Sequence, residues 1–315
     1  MTTYLFTHRD CLFHDAGTGH PERADRLRSV LHRLDLEKFP DLQREEAPLA
    51  EREVLALAHT TAYLDLIDAN APMEGIISLD PDTKMSPGSK SAAFRGVGAV
   101  CAAIDKVMKA EGTNAFCAIR PPGHHAEADR AMGFCIYNNV AIGALYARQK
   151  YGIKRVAVID FDVHHGNGTQ SIFENDPDLF YGSTHQAPYY PGTGAADEIG
   201  VGNIFNVPLA AGDGWLKFKA AMEEVILPAL ENFSPELLLI SAGFDAHEKD
   251  PLADINLSGE DYAWITKELM RIADKHCAGR VVSALEGGYD LDGLSDGVDA
   301  HVKALLRTEQ QSIRG

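Results

Sequence analysis

The sequence predicts an α/β protein: a single-domain, three-layer α/β/α arrangement with a mostly parallel central sheet, spanning residues 1–315. Three observations predict it. Strand-like and helix-like stretches alternate from end to end, as repeated βαβ units require. The run Val156–Ile159 is apolar throughout, and Leu237–Ser241 is apolar up to its last residue, as in strands covered on both faces. No Pro-, Gly- or Ser-rich linker and no internal repeat divides the chain.

Composition narrows the function classes. The apolar fraction of 45% and charged fraction of 24% are ordinary for a globular enzyme. With 29 basic against 46 acidic residues the net charge is −17, which argues against a nucleic-acid ligand. An acidic surface also suits steering of a cationic substrate, or plain solubility. The five cysteines (Cys11, Cys101, Cys117, Cys135, Cys277) are scattered, with no Cys-x-x-Cys, which fits a reducing compartment and neither a disulfide frame nor a thiolate zinc site. The N-terminus has no apolar core of a signal peptide, and no 18-residue apolar run occurs. A cytoplasmic protein without a membrane span is therefore expected.

The elements follow in order. Thr3–Thr7 reads as a strand, and His20-Pro-Glu-Arg23 opens a helix with Leu27, Val30, Leu31 and Leu34 on one face. Residues 51–69 read as two short helices split near His59-Thr60, and 73–88 as a Pro/Gly/Asp-rich loop. A long Ala/Gly-rich helix runs over 89–110, then a strand over 114–119 that delivers the stiff loop Arg120-Pro-Pro-Gly-His124-His125-Ala126. A helix over 138–150 precedes the strand Val156–Ile159. Further strands read at 179–183 and 204–207, with a turn at Tyr189–Gly194 between them. A helix with a proline at 228 spans 215–233. The strand Leu237–Ser241 leads into Gly243-Phe-Asp245, a helix starts at Ser258 with Asp261 at capping distance, and the last strand, Val281–Leu285, leads into Glu286-Gly-Gly288-Tyr289 before a closing helix over 293–306.

Four strands thus end in loops rich in chemistry, and a common carboxyl edge brings such loops together. Asp162 and His164, two apart, can turn an oxygen and a ring nitrogen toward one point; Asp245 offers another oxygen. That donor set suits zinc with an open position, and ferrous iron is not excluded by it. The aspartates can equally cap helices. His124 and His125 offer one imidazole to take a proton and one to hold charge. Asp160 and Asn167 are the candidate partners that fix their tautomers. Tyr289, on a Gly-Gly hinge, can donate to an oxyanion. These are the parts of a metal-assisted amide hydrolase.

The stretches Gly19-His-Pro-Glu-Arg-Ala-Asp-Arg-Leu27, Arg120–Ala126, Gly133-Phe-Cys-Ile-Tyr-Asn-Asn139, Asp160–Gly168, Tyr190-Pro-Gly-Thr-Gly194, Ser241–Asp245, Asp250-Pro-Leu252 and Leu285–Asp290 cover nearly the whole chain. Together they resemble the histone deacetylase family of the arginase-deacetylase fold, nearest to its class II members and their bacterial relatives. The resemblance implies zinc ligands at Asp162, His164 and Asp245, one ion per chain. It implies a catalytic pair at His124 and His125, with His125 the base, Asp160 behind His124 and Asn167 behind His125, where class I enzymes carry aspartate. Tyr289 falls on the carbonyl-polarising tyrosine. Gly133, Phe134 and Tyr190 fall on the acyl-lysine tunnel, with Leu252 and Gly288 among the other substrate-contacting positions. A structural potassium ion is implied at Asp160, Asp162, His164, Ser183 and Thr184. The implied substrate is an acetylated lysine in a peptide or protein, or a small acetylated amine such as an acetylpolyamine. Leu252 stands where a polyamine-selective relative carries glutamate, while the acidic charge and Asp80-Pro-Asp82 pull the other way. A catalytically idle acyl-binding relative and an arginase-like two-metal hydrolase are the competing classes, and oligomeric state stays open.

Overall fold

A computed structural model describes residues 2–35 and 37–308. Its strands are β1 (Thr3–Thr7), β2 (Leu42–Glu46), β3 (Ile77–Ser78), β4 (Lys84–Met85), β5 (Asn114–Cys117), β6 (Val156–Asp160), β7 (Leu179–Gln186), β8 (Ile204–Leu209), β9 (Leu237–Ala242) and β10 (Val281–Leu285). Eight of them form one sheet of order β2-β1-β5-β10-β9-β6-β7-β8. Every neighbouring pair in it is parallel, so the fold expected from the sequence is present and its sheet is wholly parallel. Strands β5, β6, β9 and β10 are buried at every residue, which is why their sequences carry no polar alternation.

The helices are α1 (Ala24–Arg33), α2 (Arg52–Leu55), α3 (Thr61–Asn70), α4 (Ser89–Met108), α5 (Asn139–Tyr151), α6 (Asn167–Phe173), α7 (Trp215–Ala221), α8 (Leu227–Phe233), α9 (Gly259–Cys277) and α10 (Leu291–Leu306). Helices α4 and α5 pack on each other and on the sheet, while α9 packs against α8 and α10, and α10 against α1. The capping box expected at the start of α9 forms, Ser258 N donating to Asp261 Oδ2 at 2.8 Å. All five cysteines are buried and free. Among the described residues no helix is long and apolar enough to cross a membrane.

Five local features differ from the sequence reading or were absent from it. The edge strand β2 was invisible to pattern, because only Leu42 is buried and Gln43–Glu46 face solvent; charged residues on an edge also block pairing with another chain. The 73–88 loop contains the β3–β4 hairpin. Helix α1 starts at Ala24 rather than at the proline, since Arg23 is extended and Glu22 turns inward to an ion pair with Arg26 and Arg120. The Asn-Gly loop after β6 winds directly into α6. Between α7 and α8, Met222–Ile226 forms a π turn just before Pro228, a proline lacking the N–H that a regular turn would use.

Candidate active site

The order β5-β10-β9-β6 sets four neighbouring carboxyl ends side by side, and each delivers one part of the cluster expected from the sequence. Asp162 and His164 follow β6, and Asp245 follows β9. One donor atom from each of the three lies within 4.8 Å of the others, and all three residues are buried. His164 Nδ1 is 3.1 Å from Asp162 Oδ1 and 3.2 Å from Asp245 Oδ2. Backbone amides hold the outer oxygens: Val163 N donates to Asp245 Oδ1 at 2.8 Å, and Gly287 N donates to Asp162 Oδ2 at 2.8 Å. Asp245 Oδ2 is buried and accepts no hydrogen bond.

Two buried carboxylates so close oppose each other's ionisation. Burial, then the charge of Asp162, pushes Asp245 up to about 7. Burial opposes a charge on His164, but the two aspartates reverse that and push it up to about 10. An orphaned carboxylate oxygen, a second carboxylate and one imidazole nitrogen, with anionic charge in excess, fit a divalent cation of borderline softness. Glycines leave room for this: a Cβ on Gly243 would lie 2.0 Å from Asp162 Oδ2, and one on Gly287 2.0 Å from Asp245 Oδ2.

The histidine pair follows β5. Glu286, at the end of β10, positions it by accepting from Gly123 N at 2.6 Å and from His124 N at 3.2 Å. His124 Nδ1 is 2.9 Å from Asp160 Oδ2, and His125 Nδ1 is 2.9 Å from Asn167 Oδ1, the two contacts the sequence suggested. Burial would lower His124, but the Asp160 and Asp162 carboxylates push it up to about 10. Burial, then the charges of His124 and His164, hold His125 well below the usual imidazole range.

Tyr289 lies across the same cavity, with its backbone tied down. Its N–H donates to Asp250 Oδ2 at 2.6 Å, and Arg26 Nε donates to the Gly288 carbonyl at 2.5 Å. The Gly-Gly segment is thus a clamped turn and not a free hinge. The Arg26 guanidinium carbon sits 4.7 Å from the Tyr289 ring centroid. Burial raises the phenol well above its ordinary range, so it stays a donor.

A cavity of about 220 Å³ leads to this cluster. His125, Gly133, Phe134, His164, Tyr190, Leu252 and Tyr289 line it, as the sequence reading grouped them, together with Asp82 and Tyr189. Gly288, grouped with them in the sequence reading, does not line it; its carbonyl accepts from Arg26 Nε. Ser183 is in register with Asp160 across β6 and β7, with Thr184 next to it, both buried. Sequence reasoning missed Arg26, Glu22 and Glu286 as supports. A glutamate directly after the buried strand Val281–Leu285 was the one available signal, at Glu286; nothing local marked Arg26 as fully buried.

Comparison with known proteins agrees with this geometry. The family model described as histone deacetylase domain matches residues 20–305. The chain is 37% identical over 308 residues to the Arabidopsis thaliana protein named histone deacetylase 14, chloroplastic, covering 91% of this chain and 73% of that one. It is 39% identical over 280 residues to the histone deacetylase-like amidohydrolase of Pseudomonas aeruginosa, covering 87% and 73%. It is 38% identical over 300 residues to a probable deacetylase of Archaeoglobus fulgidus, covering 93% and 83%. The crystal structure of the HDA15 HD domain superposes with a TM-score of 0.92 at 35% identity, covering 99% of this chain and 91% of that one.

Proposed function

The chain belongs to the histone deacetylase family, and on that premise we propose that it is a zinc-dependent deacetylase that hydrolyses the acetamide of N-acetyl-lysine side chains in peptides or proteins. One observation carries the reading: His125, His164 and Tyr289 line one narrow cavity, and the orphaned Asp245 oxygen lies 3.2 Å from His164 Nδ1. Asp162, His164 and Asp245 hold the zinc, which when bound supplies Lewis acidity toward a carbonyl and toward water. His125, whose Nδ1 is committed to Asn167, receives the proton at Nε2. His124, kept cationic by Asp160, holds positive charge beside the reacting centre. Tyr289 donates its O–H to the oxyanion that develops on the acetamide oxygen. Gly133, Phe134 and Tyr190 enclose the aliphatic stem and exclude water, with Leu252 at the wall.

Supporting features complete the reading. A structural potassium ion at Asp160, Asp162, His164, Ser183 and Thr184 draws support from the β6–β7 register that sets Ser183 opposite Asp160. Residues 1–315 act as one catalytic domain in this reading, supported by the single large sheet. Free buried cysteines support a reducing, cytoplasmic setting, although plant relatives are named chloroplastic. The acidic charge supports an amine-bearing substrate over nucleic acid.

Asp82 favours a second reading. A carboxylate at the cavity wall suits the free ammonium of an acetylpolyamine. The deciding measurement is kcat/KM for an acetyl-lysine peptide against N-acetylputrescine and N8-acetylspermidine under one set of conditions. The peptide is expected to win; a polyamine ahead by more than about tenfold, roughly 1.4 kcal/mol, overturns the choice. Inertness toward all three and toward every other acetylated or longer-acylated amine tried would leave the idle acyl-binding relative as the reading.

A further inference from the structure

A side-chain amide has two orientations of nearly equal shape, and only its hydrogen-bond partners decide between them. On one side of Asn167 the partners of Nδ2 are all acceptors: Glu127 Oε1 at 2.7 Å, the His125 carbonyl at 3.3 Å and the Met132 sulfur at 3.2 Å. None of these can donate. The NH₂ must face them, which turns Oδ1 toward His125. A carbonyl oxygen 2.9 Å from Nδ1 requires the ring proton on Nδ1 and leaves the lone pair on Nε2. Turned over, the same amide would offer its NH₂ to Nδ1 and select the opposite, useless tautomer.

Glu127 is the only charged acceptor of the three and the nearest. It is held from several sides. Arg130 donates to its carboxylate through Nε at 3.0 Å and through a terminal nitrogen at 2.6 Å. His59 Nε2 accepts from Asn138 N at 2.9 Å, so its ring proton lies on Nδ1 and donates to the Glu127 carbonyl at 2.9 Å. The Glu127 side chain is 19% exposed, at the boundary between the surface and the buried pair.

We propose that Glu127 is a positioning residue that sets the tautomer of His125 through the Asn167 amide, a role that rests on the deacetylase reading above. Glu127 touches neither substrate nor reacting atoms. The competing description, a surface ion pair with Arg130, makes different predictions. A donor at position 127 turns the Asn167 amide over and harms the native enzyme. With Asn167→Asp there is no amide to turn: a carboxylate at 167 accepts from Nδ1 unaided and is repelled by Glu127. The same substitution at 127 then helps.

The experiment uses zinc-loaded protein and the variants Glu127→Gln and Glu127→Lys, each alone and combined with Asn167→Asp. Activity is read on whichever acetylated amine the native enzyme hydrolyses, and ¹⁵N NMR of histidine-labelled protein reads which His125 nitrogen carries the proton. Glu127→Lys is expected to lower kcat by about 10-fold or more with KM unchanged, and Glu127→Gln to lower it less. Both are expected to raise the kcat of Asn167→Asp. The native His125 should show Nδ1 protonated, and Glu127→Lys should move the proton to Nε2. Equal factors in both backgrounds with an unmoved NMR signature would reduce Glu127 to a surface ion pair and overturn the proposal. Glu127→Gln, nearly isosteric, carries the comparison if the lysine variant does not fold. A native protein inert toward every acetylated amine removes the deacetylase reading, while the NMR signature still decides the tautomer.

Discussion

His124 and His125 are chain neighbours with ring centroids 4.0 Å apart, and each offers Nδ1 to a side-chain oxygen 2.9 Å away. Burial weakens proton binding in both. Yet His124 is pushed up to about 10 and His125 is held well below the usual imidazole range. The difference lies in the partner. Asp160 brings a full negative charge; Asn167 brings a dipole, and the Glu127 carboxylate behind it is one residue further out. His301 is a third case. It is fully buried between hydroxyls, with Thr266 Oγ1 at 2.7 Å from Nδ1 and Ser283 Oγ at 2.8 Å from Nε2, and burial pushes it down to about 3. Equal burial therefore yields opposite proton affinities, and a carboxylate in contact decides which.

The comparison can be broken outright by removing the centre both imidazoles serve. Asp245→Ala is expected to lose bound zinc, measured by elemental analysis, and to lose more activity than the ~100-fold typical of a supporting partner. Wild-type turnover in that variant would sink the metal assignment. A sharper cut separates the two rings. His125→Ala should lower kcat on the order of 10²–10⁴-fold, as for a general base, and more than His124→Ala does. The reverse ranking in steady-state kinetics would exchange their roles. Next in size is the donor across the cavity. Tyr289→Phe should lower kcat on the order of 10²–10³-fold while zinc content and melting temperature hold; a near-normal kcat would exclude Tyr289 from the reaction.

The smallest effect belongs to His301, which does not line the cavity. Its folded-state affinity lies below that of the unfolded chain, so the unfolded state binds the extra proton between about 6.5 and about 3. Its contribution is complete above pH 6.5 and lost as pH falls through that window. Stability should drop by about 1.4 kcal/mol per pH unit for this one proton. Denaturant unfolding of His301→Gln across pH 4–7 should show a slope shallower by one proton; an unchanged slope would place the acid sensitivity elsewhere.

What could be read without coordinates followed from polarity. The four central strands and the residues at their ends were legible because full burial removes polar residues from a strand and leaves them at its end, as at Asp160 and Glu286. Asp162, His164, Asp245 and the two histidine contacts were legible for the same reason. The edge strand β2 was not, since Gln43–Glu46 look like any solvated stretch. Glu127 was not either: two residues past His125 it reads as surface charge, and only the fold sets it against Asn167. Arg26 shares a helix face with apolar residues, and nothing in the local pattern says that its guanidinium reaches the Glu286 carbonyl at 2.5 Å.

Gly243 and Gly287 leave the buried oxygens of Asp162 and Asp245 no room for even a methyl neighbour. The cavity wall is built differently: Asp82, Phe134, Tyr190 and Leu252 come from four separate connections, after β3, β5, β7 and β9. Inherited variation therefore meets two regimes in one molecule. Positions 243 and 287 are closed to it, since any side chain there lands on a carboxylate. Each wall residue can change alone without disturbing the sheet beneath. A combinatorial library over 82, 134, 190 and 252 would sample new acyl and amine preferences among folded members, whereas one that includes 243 or 287 would fill with proteins unable to hold a metal.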